Sequence, residues 1–162
     1  MNFEYKICRL NSNFYKVYKP NLYHEILSKP ERPYFCLLID IHDDYYICVP
    51  YRTSISHNNA FLFKNSARSK NSRSGLDFTK IAIIKDTSYL DAEKITIDED
   101  EYKETINNLE QIAANALEYV NTYINHVNGS NKIHPREFAR RYQYSTLQYY
   151  HDILGLNTVL LS

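Results

Sequence analysis

Apolar and polar positions divide this chain into a strand-rich first part and a helix-rich last part. Continuous apolar runs over 34–41 and 45–50 are typical of buried strands, and the polar segment between them predicts an antiparallel hairpin. Further strands are predicted by short apolar runs at 3–10, 61–64, 81–84 and 94–97.

The longest helix is predicted where apolar residues recur at three- and four-residue steps, from Tyr102 to Ile124. Asp98 with Glu101 has the spacing of a capping box before it, and Gly129 stands where a C-cap glycine belongs. Shorter helical segments are predicted in four places: one capped by Asn11 or Asn13 and ending near Pro20, a turn over 21–27, a helix starting at Pro135, and another from Ser145 through Leu154.

Because the predicted strands come first in the sequence and the predicted helices come last, we expect an α+β fold with a twisted antiparallel sheet. A chain of 162 residues fits a single domain, 1–162. No apolar stretch approaches the ~20 residues that cross a bilayer, and the first residues lack a signal-peptide core, so a cytoplasmic protein is expected. The three cysteines, Cys8, Cys36 and Cys48, are odd in number and lie in apolar runs, which predicts buried free thiols.

Charge changes this picture at one place. The chain has 19 basic and 19 acidic residues, yet it has no Asp or Glu between Tyr45 and Leu76. That window carries five basic residues without acidic neighbours in sequence: Arg52, Lys64, Arg68, Lys70 and Arg73. A local positive field of this kind predicts a bound polyanion. The alternative is a solvated basic loop over 65–75, which is rich in Ser, Asn and Arg. The acidic stretch 91–110 is interpreted as a solvated helix start that complements the helix dipole.

The segment 52–57 adds groups that RNA cleavage requires. Thr53 and Ser54 can donate to a phosphate oxygen, Arg52 can bind phosphate through two parallel hydrogen bonds, and His57 can act as an acid or a base. Ordinary turn chemistry after a strand explains the same residues without a function. A two-metal nuclease is disfavoured because the window holds no carboxylates, and the motifs of serine hydrolases and P-loop nucleotide hydrolases are missing from the sequence. No metal and no cofactor are expected.

Three segments together carry a resemblance to a known family: Arg32-Pro33-Tyr34-Phe35-Cys36-Leu37-Leu38-Ile39-Asp40-Ile41, Val49-Pro50-Tyr51-Arg52-Thr53-Ser54-Ile55-Ser56-His57, and Gly75-Leu76-Asp77-Phe78-Thr79-Lys80. The sequence resembles the ToxN/AbiQ-like endoribonuclease toxins of type III toxin–antitoxin systems, and is most similar to their CptN and TenpN branches. The segment Tyr142–Tyr150 is also similar to the C-terminal part of that family.

The resemblance implies a compact, highly twisted antiparallel sheet flanked by helices, like the Kid/MazF toxins. It implies sequence-selective, metal-independent RNA cleavage that leaves a 2′,3′-cyclic phosphate and a 5′-hydroxyl. The toxin would cut its own small pseudoknot RNA antitoxin from a precursor and stay bound to it in a closed protein–RNA assembly. Some such complexes defend bacteria against phage.

By this resemblance the Thr-Ser pair of the family matches Thr53-Ser54, and its basic residue before the first hairpin strand matches Arg32. A lysine that closely follows the pair in ToxN has no counterpart here, so Arg52, His57 or Lys64 would take its role. Predicted phosphate contacts form one group around the basic window and a second, separate strip: Lys64, Arg68, Lys70, Arg73 and Lys80, then Lys132, Arg136, Arg140 and Arg141. The competing interpretation is a non-catalytic RNA-binding protein; a metabolic enzyme with an anionic substrate has no supporting motif.

Overall fold

A computed structural model describes residues 4–27, 35–41, 44–91 and 97–156 of the chain. Within these ranges seven strands form one antiparallel sheet: β1 (Glu4–Leu10), β2 (Phe35–Asp40), β3 (Tyr46–Arg52), β4 (Ala60–Leu62), β5 (Gly75–Asp77), β6 (Ala82–Ile84) and β7 (Leu90–Asp91). The strand order is β4-β5-β3-β2-β1-β7, and β6 pairs separately with β3. The helices lie mostly after the strands in the sequence, which confirms the predicted α+β class.

The predicted hairpin forms the centre of the sheet. Strands β2 and β3 pair antiparallel from Cys36↔Pro50 to Asp40↔Tyr46, and β1 covers the other side of β2. The apolar runs are continuous because β3 is buried at five successive positions and β2 has no exposed residue. All three cysteines are buried free thiols in this part of the sheet, as predicted.

Strand β3 is paired twice by the chain segment that follows the basic window. Its last residues, Tyr51 and Arg52, pair with β5, and its first residues pair with β6. A 3₁₀ helix, Phe78–Lys80, lies between the two strands. Gly75 is required at the start of β5, because a Cβ atom there would lie 2.0 Å from the backbone oxygen of Phe61. This arrangement brings the end of β3 next to residues 75–80.

Four α-helices are present among the described residues: α1 (Ser12–Val17), α2 (Glu99–Asn107), α3 (Leu109–Val127) and α4 (Pro135–Tyr142). The Asn11 side chain caps α1, Asp98 caps α2, and Pro135 occupies the first turn of α4, as predicted. The single long helix predicted from Tyr102 to Ile124 is wrong, because the chain breaks at Asn108. There the Asn108 side-chain amide donates to the Glu104 carbonyl at 2.8 Å and competes with the helical backbone.

Three other predictions differ from the structure or lie outside it. Residues 21–27 form turns and not a helix. Ser145 does cap a helical segment, but it is a short 3₁₀ helix, Thr146–Tyr149, followed by turns. The strand predicted at 94–97 falls almost entirely outside the described residues.

The hydrophobic core joins the sheet to the buried face of α3. Aromatic rings make much of this contact: Tyr119 lies against Phe78 of the 3₁₀ helix and against Tyr142 at the end of α4, with ring centroids 6.3 and 4.6 Å apart. Most tyrosines of the C-terminal part therefore have structural roles. Among the described residues, no helix combines the length and the apolar character that a bilayer span requires.

Candidate functional site

The segment 52–57 leaves the sheet in a tight turn at the end of β3. Thr53 and Ser54 are exposed, and Ser54 has a φ of 55°, in the left-handed region that non-glycine residues rarely adopt. Buried Ile55 then anchors the turn, and its backbone N–H donates to the Arg73 carbonyl at 2.8 Å. The two hydroxyls are therefore presented to solvent from a fixed backbone.

The centre of the site is Asp77, whose side chain is completely buried at the end of β5. One carboxylate oxygen, Oδ2, accepts from Arg52 Nη1 at 2.6 Å. The other, Oδ1, accepts from the Thr79 hydroxyl at 2.6 Å and from the Thr79 backbone N–H at 2.9 Å, and lies 3.1 Å from His57 Nε2. Asp77 thus fixes Arg52 and His57 in one arrangement.

The pKa of Asp77 reflects a competition between burial and these donors. Desolvation by burial is the largest effect and raises the pKa of the carboxyl. The hydrogen bonds from His57, Thr79 and Arg52 together outweigh it, so the pKa of Asp77 lies below its ordinary value. The Asp77 carboxylate is therefore ionised at neutral pH and binds the guanidinium of Arg52.

His57 has both ring nitrogens engaged. Nδ1 accepts the backbone N–H of Asn59 at 3.1 Å, so the ring proton lies on Nε2 and points to Asp77. In this arrangement His57 fixes the loop 57–59 against Asp77. To transfer a proton to a substrate it would have to release one of these two partners.

A cleft of about 230 Å³ opens beside this network. Its cationic or titratable basic side chains come from three parts of the chain, the segment 52–57, the 3₁₀ helix Phe78–Lys80 and the end of α4: Arg52, His57, Lys80, Arg140 and Arg141. The other lining residues are polar or aromatic, with one carboxylate: Glu25, Ser56, Asn59, Thr79 and Tyr144. An anionic ligand therefore meets several positive groups and one negative group.

Lys80 is the most buried cation of the cleft. Its ammonium donates to the Tyr144 carbonyl at 2.9 Å and lies 3.5 Å from Glu25 Oε1, and its side chain is 11% exposed. Desolvation lowers the pKa of Lys80, although Glu25 and Asp77 oppose the shift. Glu25 Oε2 is buried and has no hydrogen-bond partner among the residues that the structure describes.

The two arginines at the end of α4 complete the cationic wall. Arg141 pairs with Glu118 of α3 at 2.9 Å and lies over the rings of Tyr119 and Tyr142, while exposed Arg140 pairs with Glu137 at 3.5 Å. The prediction of a separate C-terminal basic strip is therefore wrong for these two residues, because α4 folds back onto the cleft. Lys132 and Arg136 are exposed and do not line it.

More of the positive charge in the basic window is paired within the fold than its sequence indicates. Arg68 makes two hydrogen bonds, at 2.6 and 2.7 Å, to Glu101, whose side chain is only 2% exposed. Arg73 donates to the carbonyls of Ile55 and His57 and to the Asn58 side chain. Arg52 is held by Asp77. Carboxylates distant in sequence supply the charges that the window lacks.

The same contacts correct two further predictions. The loop 65–75 is not simply exposed: Ser66 and Ser74 are fully buried, and a 3₁₀ helix spans Arg68–Lys70. The acidic stretch is not simply solvated either, because the Glu104 carboxylate accepts the backbone N–H groups of Lys64 and Asn65. Glu101 and Glu104 fix this loop against α2.

The predicted site residues thus fall into three groups. Those brought together in the cleft are Arg52, His57, Lys80, Arg140 and Arg141. Those on other surfaces are Thr53 and Ser54 at the turn, then Lys64, Arg68, Lys70, Arg73, Lys132 and Arg136. Arg32 lies outside the described residues.

Sequence reasoning missed Asp77, Glu25 and Tyr144 as parts of the site. One signal was available for Asp77, since it is the first acidic residue after the basic window and its Asp-x-Thr spacing is typical of a helix cap. Nothing in the sequence places Glu25 or Tyr144 beside Lys80, because tertiary packing alone brings them there.

The fold and site together define an α+β domain with a cationic cleft built around a buried carboxylate. Within the described part of the chain, no group of three or more His, Cys, Asp or Glu side chains is arranged to hold a metal ion. Comparisons with protein-family models, curated proteins and solved structures returned no match.

Proposed function

We propose that this protein is a metal-independent endoribonuclease toxin of the type III toxin–antitoxin class. It would act on RNA in the cytoplasm and leave a 2′,3′-cyclic phosphate and a 5′-hydroxyl. One observation carries the proposal: Arg52, Lys80, Arg140 and Arg141 converge on a cleft in which Asp77 fixes the guanidinium of Arg52 beside His57. A phosphodiester is the ligand that such a cationic, hydrogen-bonding cleft suits best.

The residues divide the chemistry between them in this proposal. Arg52 and the two α4 arginines bind the scissile phosphate, and their charge stabilises the extra negative charge of the transition state. The 2′-oxygen attacks the phosphorus as its proton passes to His57 Nδ1, which releases the Asn59 N–H to accept it. The bond from phosphorus to the 5′-oxygen breaks as Lys80 supplies a proton to that leaving oxygen, a role that suits a desolvated ammonium in the cleft with a lowered pKa. Thr53 and Ser54 donate to the RNA backbone next to Arg52, and Asp77 acts through Arg52 and His57 as a positioning residue.

The antitoxin in this proposal is a small pseudoknot RNA bound in a closed protein–RNA assembly. Its body would contact basic residues outside the cleft, for which exposed Lys64, Lys70, Lys132 and Arg136 are candidates. Arg68 and Arg73 are less suitable than the sequence indicates, since both serve the fold. Phosphate contacts make such binding salt-dependent, because each one releases counterions from the RNA.

The test is incubation of purified protein with a defined, end-labelled RNA in EDTA, followed by mapping of the ends. We expect specific cuts with 2′,3′-cyclic phosphate and 5′-hydroxyl ends. Loss of all cleavage in EDTA would contradict the metal-free mechanism. Binding without any cleavage, with or without divalent ions, would support the non-catalytic RNA-binding protein instead.

Variants connect the activity to the site. Ser54→Ala and His57→Ala are expected to abolish cleavage and growth inhibition while the protein still folds, and His24→Ala is the control because His24 is exposed and does not line the cleft. Arg52→Lys keeps the charge and loses the planar fork, so full activity there would show that Arg52 supplies charge alone. Wild-type toxicity of the Ser54→Ala and His57→Ala variants would show that these two residues only form the turn.

A further inference from the structure

One tyrosine of the C-terminal part differs from its neighbours. Tyr142 and Tyr150 are buried in the core, but Tyr144 is 63% exposed and lines the cationic cleft. A ring exposed to this extent adds little buried apolar area to the core. Most of its surface is open to a ligand that enters the cleft.

The backbone that carries this ring is fixed in a turn. Tyr144 lies in the turn after α4, where the Ser145 backbone N–H donates to the Tyr142 carbonyl at 3.1 Å and Ser145 itself is buried. The Gln143 side-chain amide donates to the Tyr144 hydroxyl at 3.2 Å. The backbone that carries the ring is therefore fixed before any ligand arrives, which reduces part of the entropy cost of binding to the ring.

Tyr144 is also hydrogen-bonded to Lys80, a cation of the cleft that would contact a phosphate. The Lys80 ammonium donates to the backbone carbonyl of Tyr144 itself, at 2.9 Å. Phosphate-binding group and aromatic ring thus sit on adjacent points of one surface. In a nucleotide, phosphate and base are separated by one sugar, so a nucleotide can place its phosphate at Lys80 and its base on Tyr144.

We infer that Tyr144 is a stacking platform for the base of the nucleotide whose phosphate occupies the cleft, so that the site takes unpaired RNA. This inference rests on the proposed function, since it assumes that the cleft binds RNA. Aromatic side chains bind unpaired bases by stacking, and a base within a duplex is already stacked on its neighbours and cannot reach the ring. The substrate class is therefore single-stranded RNA or a loop.

The chain offers an unusual probe, because it contains no tryptophan. Tyr144→Trp places a single fluorescent indole at the rim, and Tyr102→Trp is the matched control, since Tyr102 is 42% exposed on α2 and does not line the cleft. The ligand is a mixed-sequence decamer with 2′-O-methyl sugars, which cannot be cleaved. We expect it to quench the indole at position 144 and leave the one at 102 unchanged. Tripolyphosphate, which has charge but no bases, should compete for the cleft without quenching.

Affinity gives the second measurement. Tyr144→Ala should weaken binding of the labelled single-stranded decamer on the order of 5- to 150-fold, the usual effect of losing one stacked base. Tyr144→Phe keeps the ring and should bind within about twofold of wild type. Binding of the same sequence as a duplex should be weak and should not respond to Tyr144→Ala.

The outcomes separate this inference from the proposed function. Wild-type protein that binds and cuts RNA, with unchanged affinity in Tyr144→Ala and no quenching in Tyr144→Trp, would overturn the stacking role alone. Equal cleavage of duplex and single-stranded RNA would overturn the claim about the substrate. Wild-type protein that binds no RNA at all would overturn the proposed function and this inference with it.

Discussion

Replacing Asp77 by Asn removes one charge from the centre of the site and changes almost nothing in shape. An Asn oxygen can still accept from Thr79, but its amide NH₂ then faces the guanidinium of Arg52, so two donors meet where a donor and an acceptor met before. The neutral side chain also loses the charge-assisted component of the bonds from Arg52 and His57.

The size of the effect follows from burial. Hydrogen bonds to a charged group contribute about 1.5–3 kcal/mol each, and removing one partner of a fully buried ion pair costs about 3–5 kcal/mol. Arg52 is 24% exposed, so water replaces part of what it loses. We expect Asp77→Asn to lower the free energy of unfolding by about 2–4 kcal/mol, and Tm by roughly 5–15 °C. Cleavage should fall as well, because Arg52 and His57 lose their common anchor.

A matched control exists in the same chain. Asp86 caps a 3₁₀ helix, Thr87–Tyr89, through the Ser88 backbone N–H at 2.9 Å, as Asp77 caps its own through Thr79, but Asp86 is exposed. Asn caps helices about as well as Asp, so Asp86→Asn should melt like wild type in thermal unfolding followed by circular dichroism.

The pH dependence gives an independent check with a definite sign. The folded-state pKa of Asp77 is lowered, so its stabilising contribution is complete above the unfolded pKa of about 3.9 and is lost as pH falls through the folded pKa. The difference in Tm between wild type and Asp77→Asn should be full at pH 7 and narrow below about pH 4. Equal melting of Asp77→Asn and Asp86→Asn at pH 7 would show that the negative charge of Asp77 does not stabilise the fold.

Three further predictions concern other parts of the molecule. Gly75→Ala should destabilise the fold by at least about 3 kcal/mol in urea unfolding, since the new Cβ would meet a backbone oxygen of β4 at 2.0 Å; an unchanged midpoint would contradict this. Arg68→Ala should lower the free energy of unfolding by about 1–2 kcal/mol, because buried Glu101 loses its partner. Lys70→Ala on the same loop should leave it unchanged, and equal effects of the two substitutions would support the interpretation of 65–75 as a solubilising loop. If the Lys80 ammonium transfers the proton, cleavage should fall as pH rises through its pKa, which lies below the usual 10.5, and Lys80→Arg should remove that alkaline decline along with much of the rate. An identical alkaline decline in Lys80→Arg would assign it to another group.

The parts of the fold that could be predicted are those in which local pattern and tertiary burial agree. The hairpin of β2 and β3, the caps of α1 and α2 and the start of α4 all have local signals that packing then reinforces. The break at Asn108 could not be predicted from the apolar spacing, because that spacing continues through it. A single side-chain amide and the packing around it decide the break.

The candidate site shows the same division. The cluster at Arg52 and His57 was visible in sequence because its members are neighbours along the chain. Its partners were not, since Asp77 and the α4 arginines reach it only through the pairing of β5 with β3 and the return of α4. Charge in a sequence window therefore predicted the location of the cleft but not which cations serve it, because Arg68 and Arg73 are bound within the fold.

In the proposed mechanism, the cleft cuts RNA through the 2′-hydroxyl of the substrate. This mechanism is tested most directly with two otherwise identical RNAs in EDTA, one of which carries a single 2′-deoxy nucleotide immediately 5′ of a mapped cleavage site. We expect the all-ribose strand to be cut there with a 2′,3′-cyclic phosphate end, and the 2′-deoxy strand to stay intact at that bond. Cleavage of both strands at equal rates would contradict it.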